Sequence, residues 1–269
     1  MKRFLVAALL TLAPPAWAHP GVHERVDEVT REIAAHPDDA ALYLQRAELL
    51  ITHGAFAEAR RDVRKARALA PSAEADLVEG MLEVEARRPT QAITALSRFL
   101  EERPDHAKGR ALRSRAYIAL GNPAAAVTDL DHAIAHAPTP RPELYVRRAR
   151  LLTQMGQPDV ALHGLDAAIA THGPLVVLVE LAIEIETARS RHDAALAYLG
   201  RLPPKLRHSP LWQKRAGDLH LAAGRADEAR LAYETALDAL SKMPAARRRA
   251  PALAELDAEL RAALASRPQ

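Results

Sequence analysis

The stretch YLQRAELLITHGAFAEARRDVRKARALAP, Tyr43 to Pro71, reads as two helices and a turn. Leu42, Leu49, Leu50 and Ile51 give the first helix its apolar positions, and Ala59, Val63, Ala66 and Ala70 recur at helical spacing on the second. Gly54 separates the two. The small residues Ala47 and Ala59 stand where two helix backbones must approach, and a bulkier side chain there would force the hairpin open. One such hairpin cannot bury its own apolar stripe, so the stretch requires copies of itself.

The copies are present. Ala59, Ala92, Ala126, Ala161, Ala195 and Ala229 follow one another at intervals of 33, 34, 35, 34 and 34 residues. Five residues before them stand Gly54, Arg87, Gly121, Gly156, Ser190 and Gly224, and glycine is the residue for which a left-handed turn is least strained. Seven residues after them come Ala66, Phe99, Ala133, Ala168, Leu202 and Ala236. Pro71, Pro104, Pro138, Pro174 and Pro203 follow the second helices, where a residue that cannot continue a helix is expected.

With this period and these offsets, the copies Arg46–Pro71, Arg113–Pro138 and Arg147–Gly173 resemble the tetratricopeptide repeat family, over about Asp38 to Leu240. The resemblance implies an all-α solenoid of helical hairpins, a right-handed superhelix with capping helices at both ends. It also implies that the first helix of each repeat lines a concave surface where partner proteins lie. Two copies depart from the pattern. Arg87-Arg88-Pro89 replaces one turn glycine, and Ser190 replaces another in the copy where Ile183 takes the small position, which puts the packing of both in question.

The chain begins with Met1-Lys2-Arg3, an apolar run from Phe4 to Ala13, and Pro14-Pro15-Ala16-Trp17-Ala18. That order of charge, apolar run and small residues reads as a secretory signal over 1–18, with His19 first in the mature chain. The run is too short for a membrane-spanning helix, which needs about 20 apolar residues. Residues 19–37 read as a tail and capping helix carrying Val22, Val26, Val29 and Ile33, and 38–241 as six repeats. Residues 242–269 read as a linker and a second capping helix with Leu253, Leu256, Leu260 and Leu264.

Composition fits closely packed helices: 49% of residues are hydrophobic and only 4% aromatic. The net charge of +3 falls to +1 once Lys2 and Arg3 leave, so nucleic-acid binding is not expected. No cysteine is present, which excludes disulfides, thiolate metal sites and a lipidated cysteine. Together these place the protein in a periplasm or outside the cell.

Projecting the family geometry onto the chain puts Lys108, Arg115, Arg147 and Arg150 inward on the third and fourth repeats. Glu180 and Glu184 follow on the fifth, and Lys214 and Asp218 on the sixth. A basic middle followed by an acidic step favours an acidic segment or a terminal carboxylate, which arginine pairs with two hydrogen bonds. The alternative is a solvated face whose exposed charges contribute little. Arg46 with Asp62 and Arg113 with Asp129, each sixteen residues apart, read instead as pairs within a hairpin. A chaperone-type carboxylate clamp is not expected, since Leu44 and Glu48 hold the first repeat's inward positions.

His132 and His136 lie one helical turn apart with Asp129 before them, a spacing compatible with a divalent metal, but a pair supplies only two ligands and the H-E-x-x-H pattern is absent. His19 with His23 offers a copper-handling alternative through the new amino terminus. No phosphate loop, G-x-S-x-G or G-x-G-x-x-G occurs, so neither an enzyme nor a resident cofactor is expected. Trp212, Tyr43 and Tyr145 are expected to pack between hairpins. The sequence thus points to an exported scaffold binding a protein or peptide. An envelope assembly factor, metal handling and self-association remain open as its particular role.

Overall fold

The computed structural model describes residues 20–265. The expected secretory signal over 1–18 and His19 lie outside the described residues. A first helix, α1 (Pro20–Ala35), precedes five hairpins: α2 (Ala40–Thr52) with α3 (Phe56–Leu69), α4 (Ala73–Glu85) with α5 (Pro89–Glu102), α6 (Ala107–Ala119) with α7 (Pro123–His136), α8 (Pro142–Gln154) with α9 (Pro158–His172), and α10 (Val176–Ala188) with α11 (His192–Gly200). The one-turn α12 (Pro204–Arg207) leads to a sixth hairpin, α13 (Pro210–Ala222) with α14 (Ala226–Ser241). The one-turn α15 (Ala245–Arg248) then leads to α16 (Pro251–Ala265). The described residues are all-α, and the expected helical-hairpin repeat is the fold. They divide into two compact units, the first ending at Pro104 and the second beginning at Asp105.

Each first helix is 13 residues long, so positions compare directly by their count from its start. The eighth residue is Ala47, Gly80, Ser114, Ala149, Ile183 or Gly217, and all six are buried. Sixteen residues later, on the second helix, stand Val63, Leu96, Leu130, Leu165, Leu199 and Tyr233, also buried. A methyl group on Gly80 would overlap Leu96, and one on Gly217 would overlap the Tyr233 ring. The small residue therefore exists to admit the large one opposite it. The fourth residue of each second helix is the repeating alanine, from Ala59 to Ala229, and none is more than 2% exposed.

All six turns use a left-handed residue: Gly54, Gly121, Gly156 and Gly224, with Arg87 at φ 56° and Ser190 at φ 58° in the two departing copies. Those copies keep the turn and carry the strain of a Cβ there. In the fifth hairpin Ile183 is 1% exposed and joins the same core as Leu199. Beyond it α11 is short and α12 supplies an extra turn, which the repeat spacing did not predict.

Apolar cover is supplied at both ends. Val29 and Ile33 of α1 pack with Tyr43 and Ala66. Leu256 and Leu260 of α16 pack with Ala229, Tyr233, Ala236 and Leu240 of α14. Trp212 and Tyr43 are each 8% exposed, in keeping with packing roles. No helix among the described residues is long and apolar enough to cross a membrane.

Replacing Arg87 or Ser190 with glycine should stabilise the fold, since a left-handed backbone destabilises a non-glycine residue by about 1–2 kcal/mol. Chemical denaturation should show a rise of about 1 kcal/mol for each variant. Gly217→Ala should do the opposite, lowering stability by about 1–3 kcal/mol through overpacking against Tyr233.

Candidate functional site

Most charged residues on the helix faces are already committed. Arg46 donates to both oxygens of Asp62, Nε at 2.8 Å and Nη2 at 2.7 Å. Arg113 repeats the arrangement on Asp129, with both bonds at 2.8 Å, and Arg110 adds a third at 3.1 Å. These are the within-hairpin pairs expected from the sixteen-residue spacing. The hydrogen bonds that Arg46 and Arg113 donate to Asp62 and Asp129 are the largest influence on them, and hold both guanidinium groups above their ordinary pKa despite desolvation. Asp129 is 1% exposed, so it serves structure and is no metal ligand for His132 and His136.

Other pairs run between successive hairpins and were not read from the sequence. Arg60 binds Glu83 at 2.8 Å. Arg67 of the first hairpin joins Arg98 of the second around that second hairpin's Asp76 and Glu79, with four contacts between 2.6 and 2.8 Å. Arg148 pairs with Asp131, and Arg189 with Asp159. No fixed offset in the sequence marks these pairs, and side-chain reach decides which partners meet.

Against that background the predicted partner-binding residues form a distinct set in the second unit. Lys108 is the second residue of its helix, Glu180 the fifth, Arg147 the sixth, and Arg115, Arg150 and Glu184 the ninth. At 3.6 residues per turn these four positions fall within an arc of about 100°. On α8 the buried residues Leu144, Ala149, Leu151 and Leu152 occupy the other side. Lys108, Arg150, Glu180 and Glu184 are exposed, and Arg115 and Arg147 half-buried. Among the described residues Lys108, Arg147, Arg150, Glu180 and Glu184 make no hydrogen bond or ion pair. Lys214 and Asp218, the last predicted pair, bind each other at 3.1 Å, and Asp218 also accepts from Tyr233.

Arg147 is the unusual member. In α4, α6 and α10 the sixth residue is Val78, Leu112 or Leu181, all buried. Arg147 puts a guanidinium at a position where the neighbouring hairpins have an aliphatic side chain. Burial pushes its pKa below the ordinary value, the like charges of Arg115 and Arg141 push it further, and only Glu143 opposes them. Arg141 was missed in the sequence because it precedes α8. The result is a cluster of cations with a deficit of anions, on a surface that the hairpin core does not use.

Residues 77–140 match the model of the tetratricopeptide repeat, and residues 175–254 that of a tetratricopeptide repeat-like domain, together more than half of the chain. The chain belongs to the tetratricopeptide repeat family. Solved structures similar to this repeat protein include the C-terminal part of a TPR repeat-containing protein from Cytophaga hutchinsonii, at TM-score 0.67 and 11% identity, covering 84% of this chain and 93% of that one. PilF of Pseudomonas aeruginosa matches at TM-score 0.54 and 14% identity, covering 88% and 99%. A tetratricopeptide repeat protein from Parabacteroides merdae matches at TM-score 0.52 and 16% identity, covering 89% and 92%. At these identities the likeness is one of fold. No curated protein matches the sequence.

The two kinds of arginine in this repeat protein should separate in stability measurements. Asp129→Asn leaves two half-buried guanidinium groups without their carboxylate and should lower stability by about 3 kcal/mol. Arg147→Met keeps the stem and removes the crowded charge, and denaturation should show no loss beyond about 0.5 kcal/mol.

Proposed function

We propose that the chain is an exported tetratricopeptide scaffold whose second unit holds an acidic segment of a partner protein against Arg115, Arg147 and Arg150. One observation carries the reading: Arg147 is half-buried among like charges with no carboxylate partner, while arginines on adjacent faces are paired. A partner carboxylate would supply the missing anion through a two-pronged hydrogen bond. Lys108, on the same side of α6, extends the cationic surface. Glu180 and Glu184, one turn apart on α10, adjoin it through the packing of α10 on α8. They give the surface a polarity that favours one direction of the bound segment.

A rigid row of helices binds an extended segment without first ordering itself, so less of the interaction energy is lost. Tetratricopeptide repeats act generally as scaffolds for protein interaction, and in this chain the cationic side chains lie on an open helix face. Self-association is the competing use of such a surface. For the chain to work in this way outside the cytoplasm, the leader ending at Ala18 must be removed.

Partner capture from envelope extract should be lost in the Arg147→Met, Arg150→Met double variant while its thermal midpoint is retained. Capture by the wild-type chain should also fall as salt is raised. Equal capture by the two proteins overturns the assignment, and light scattering that shows only a concentration-dependent oligomer assigns the surface to self-association. Export has its own check: amino-terminal sequencing of the protein from the envelope fraction should begin at His19, and an intact Met1 contradicts it.

A further inference from the structure

The sequence offered two histidines and no third ligand for a metal; the fold supplies one. His132 and His136 occupy the last turns of α7 with rings 5.4 Å apart and within 9° of parallel. Asp105, just ahead of α6, reaches the same place, its Oδ1 lying 3.3 Å from His136 Nε2. One donor atom from each of the three residues lies within 4.8 Å of the other two. We propose that Asp105, His132 and His136 form a binding site for a borderline divalent metal ion, with zinc as its simplest occupant.

The donor set decides the class. Two imidazoles and one carboxylate suit zinc, copper(II) or nickel, whereas magnesium and calcium prefer oxygen alone and copper(I) prefers sulfur. A tetrahedral ion with bonds of about 2.0–2.1 Å sets its ligand atoms about 3.3 Å apart, the separation of Asp105 and His136. Small side-chain rotations bring His132 into the same sphere, and water fills the fourth position.

The orientation is also set. His136 Nδ1 lies 2.9 Å from the His132 carbonyl oxygen and donates to it, so its other nitrogen carries the free lone pair. A backbone carbonyl on the far nitrogen is a usual outer contact of a metal-binding histidine. The His132 ring makes no hydrogen bond with protein, and its Nδ1 is withheld from solvent without a partner. The negative end of the α7 dipole adds a preference for a cation. Asp129, the acid adjacent in sequence, is held by Arg110 and Arg113 and takes no part.

Calorimetric titration of the full chain, without a polyhistidine tag, with zinc chloride tests this. The tightest site should weaken at least about tenfold in Asp105→Asn, at an exposed position where folding is not at risk, and disappear in the His132→Ala, His136→Ala double variant. Zinc should raise the thermal midpoint of the wild-type chain and leave that of the double variant unchanged. His23→Ala, which removes the ring stacked on His53, should keep the site. Loss of the tightest site in His23→Ala, or equal zinc affinity in wild type and Asp105→Asn, overturns the assignment.

Discussion

The structure depends on how closely two helices can approach inside one hairpin. At the eighth residue of the first helix the space left is that of a glycine, alanine or serine in five of six hairpins, because a larger side chain sixteen residues later fills it. That exchange of volume sets the hairpin, the repeating alanine of the second helix holds it closed, and the left-handed turn residue joins the two. Every hairpin then exposes an apolar face that only a neighbour or a terminal helix can cover. Ile183 shows the tolerance of the scheme: the isoleucine is accommodated where the following helix is short and an extra turn relieves the connection.

The same register sorts the charges. The seventh residue, beside the close approach, faces the second helix, and there Arg46 and Arg113 meet Asp62 and Asp129 in buried two-pronged pairs. The ninth residue, one step past the small one, is never fully buried: it is Glu48, Met81, Arg115, Arg150, Glu184 or Asp218 in successive hairpins. Packing thus consumes one set of arginines and leaves others, Arg147 and Arg150, without partners on the opposite face. Arg147 stands where the hairpins on either side carry Leu112 and Leu181, and its charge has no use in the core of α8 and α9. Function is inferred from that residue of unspent charge.

Much of this was legible in the sequence, for a physical reason: repeats reveal themselves by period, and a turn or close approach demands a particular residue at a fixed offset. The sixteen-residue Arg–Asp pairs were legible for the same reason, since both partners belong to one hairpin of constant geometry. Pairs across successive hairpins, such as Arg60 with Glu83, were not, because side-chain reach and helix packing decide them. Asp105 escaped notice as a neighbour of His136 because it lies 31 residues away in sequence, ahead of the helix that precedes α7. Arg147 was placed on the right face, but its burial and its crowding by Arg141 needed coordinates.

The most direct test of the arginine surface is photocrosslinking in cells that express the protein, with a photoreactive residue in place of Arg150 on α8. A matched probe replaces Thr128, which is exposed on α7, a second helix. The expected result is one dominant crosslinked protein from Arg150, joined through an acidic segment, and none of it from Thr128. The same products from both positions, or none from Arg150 in folded protein, would contradict it.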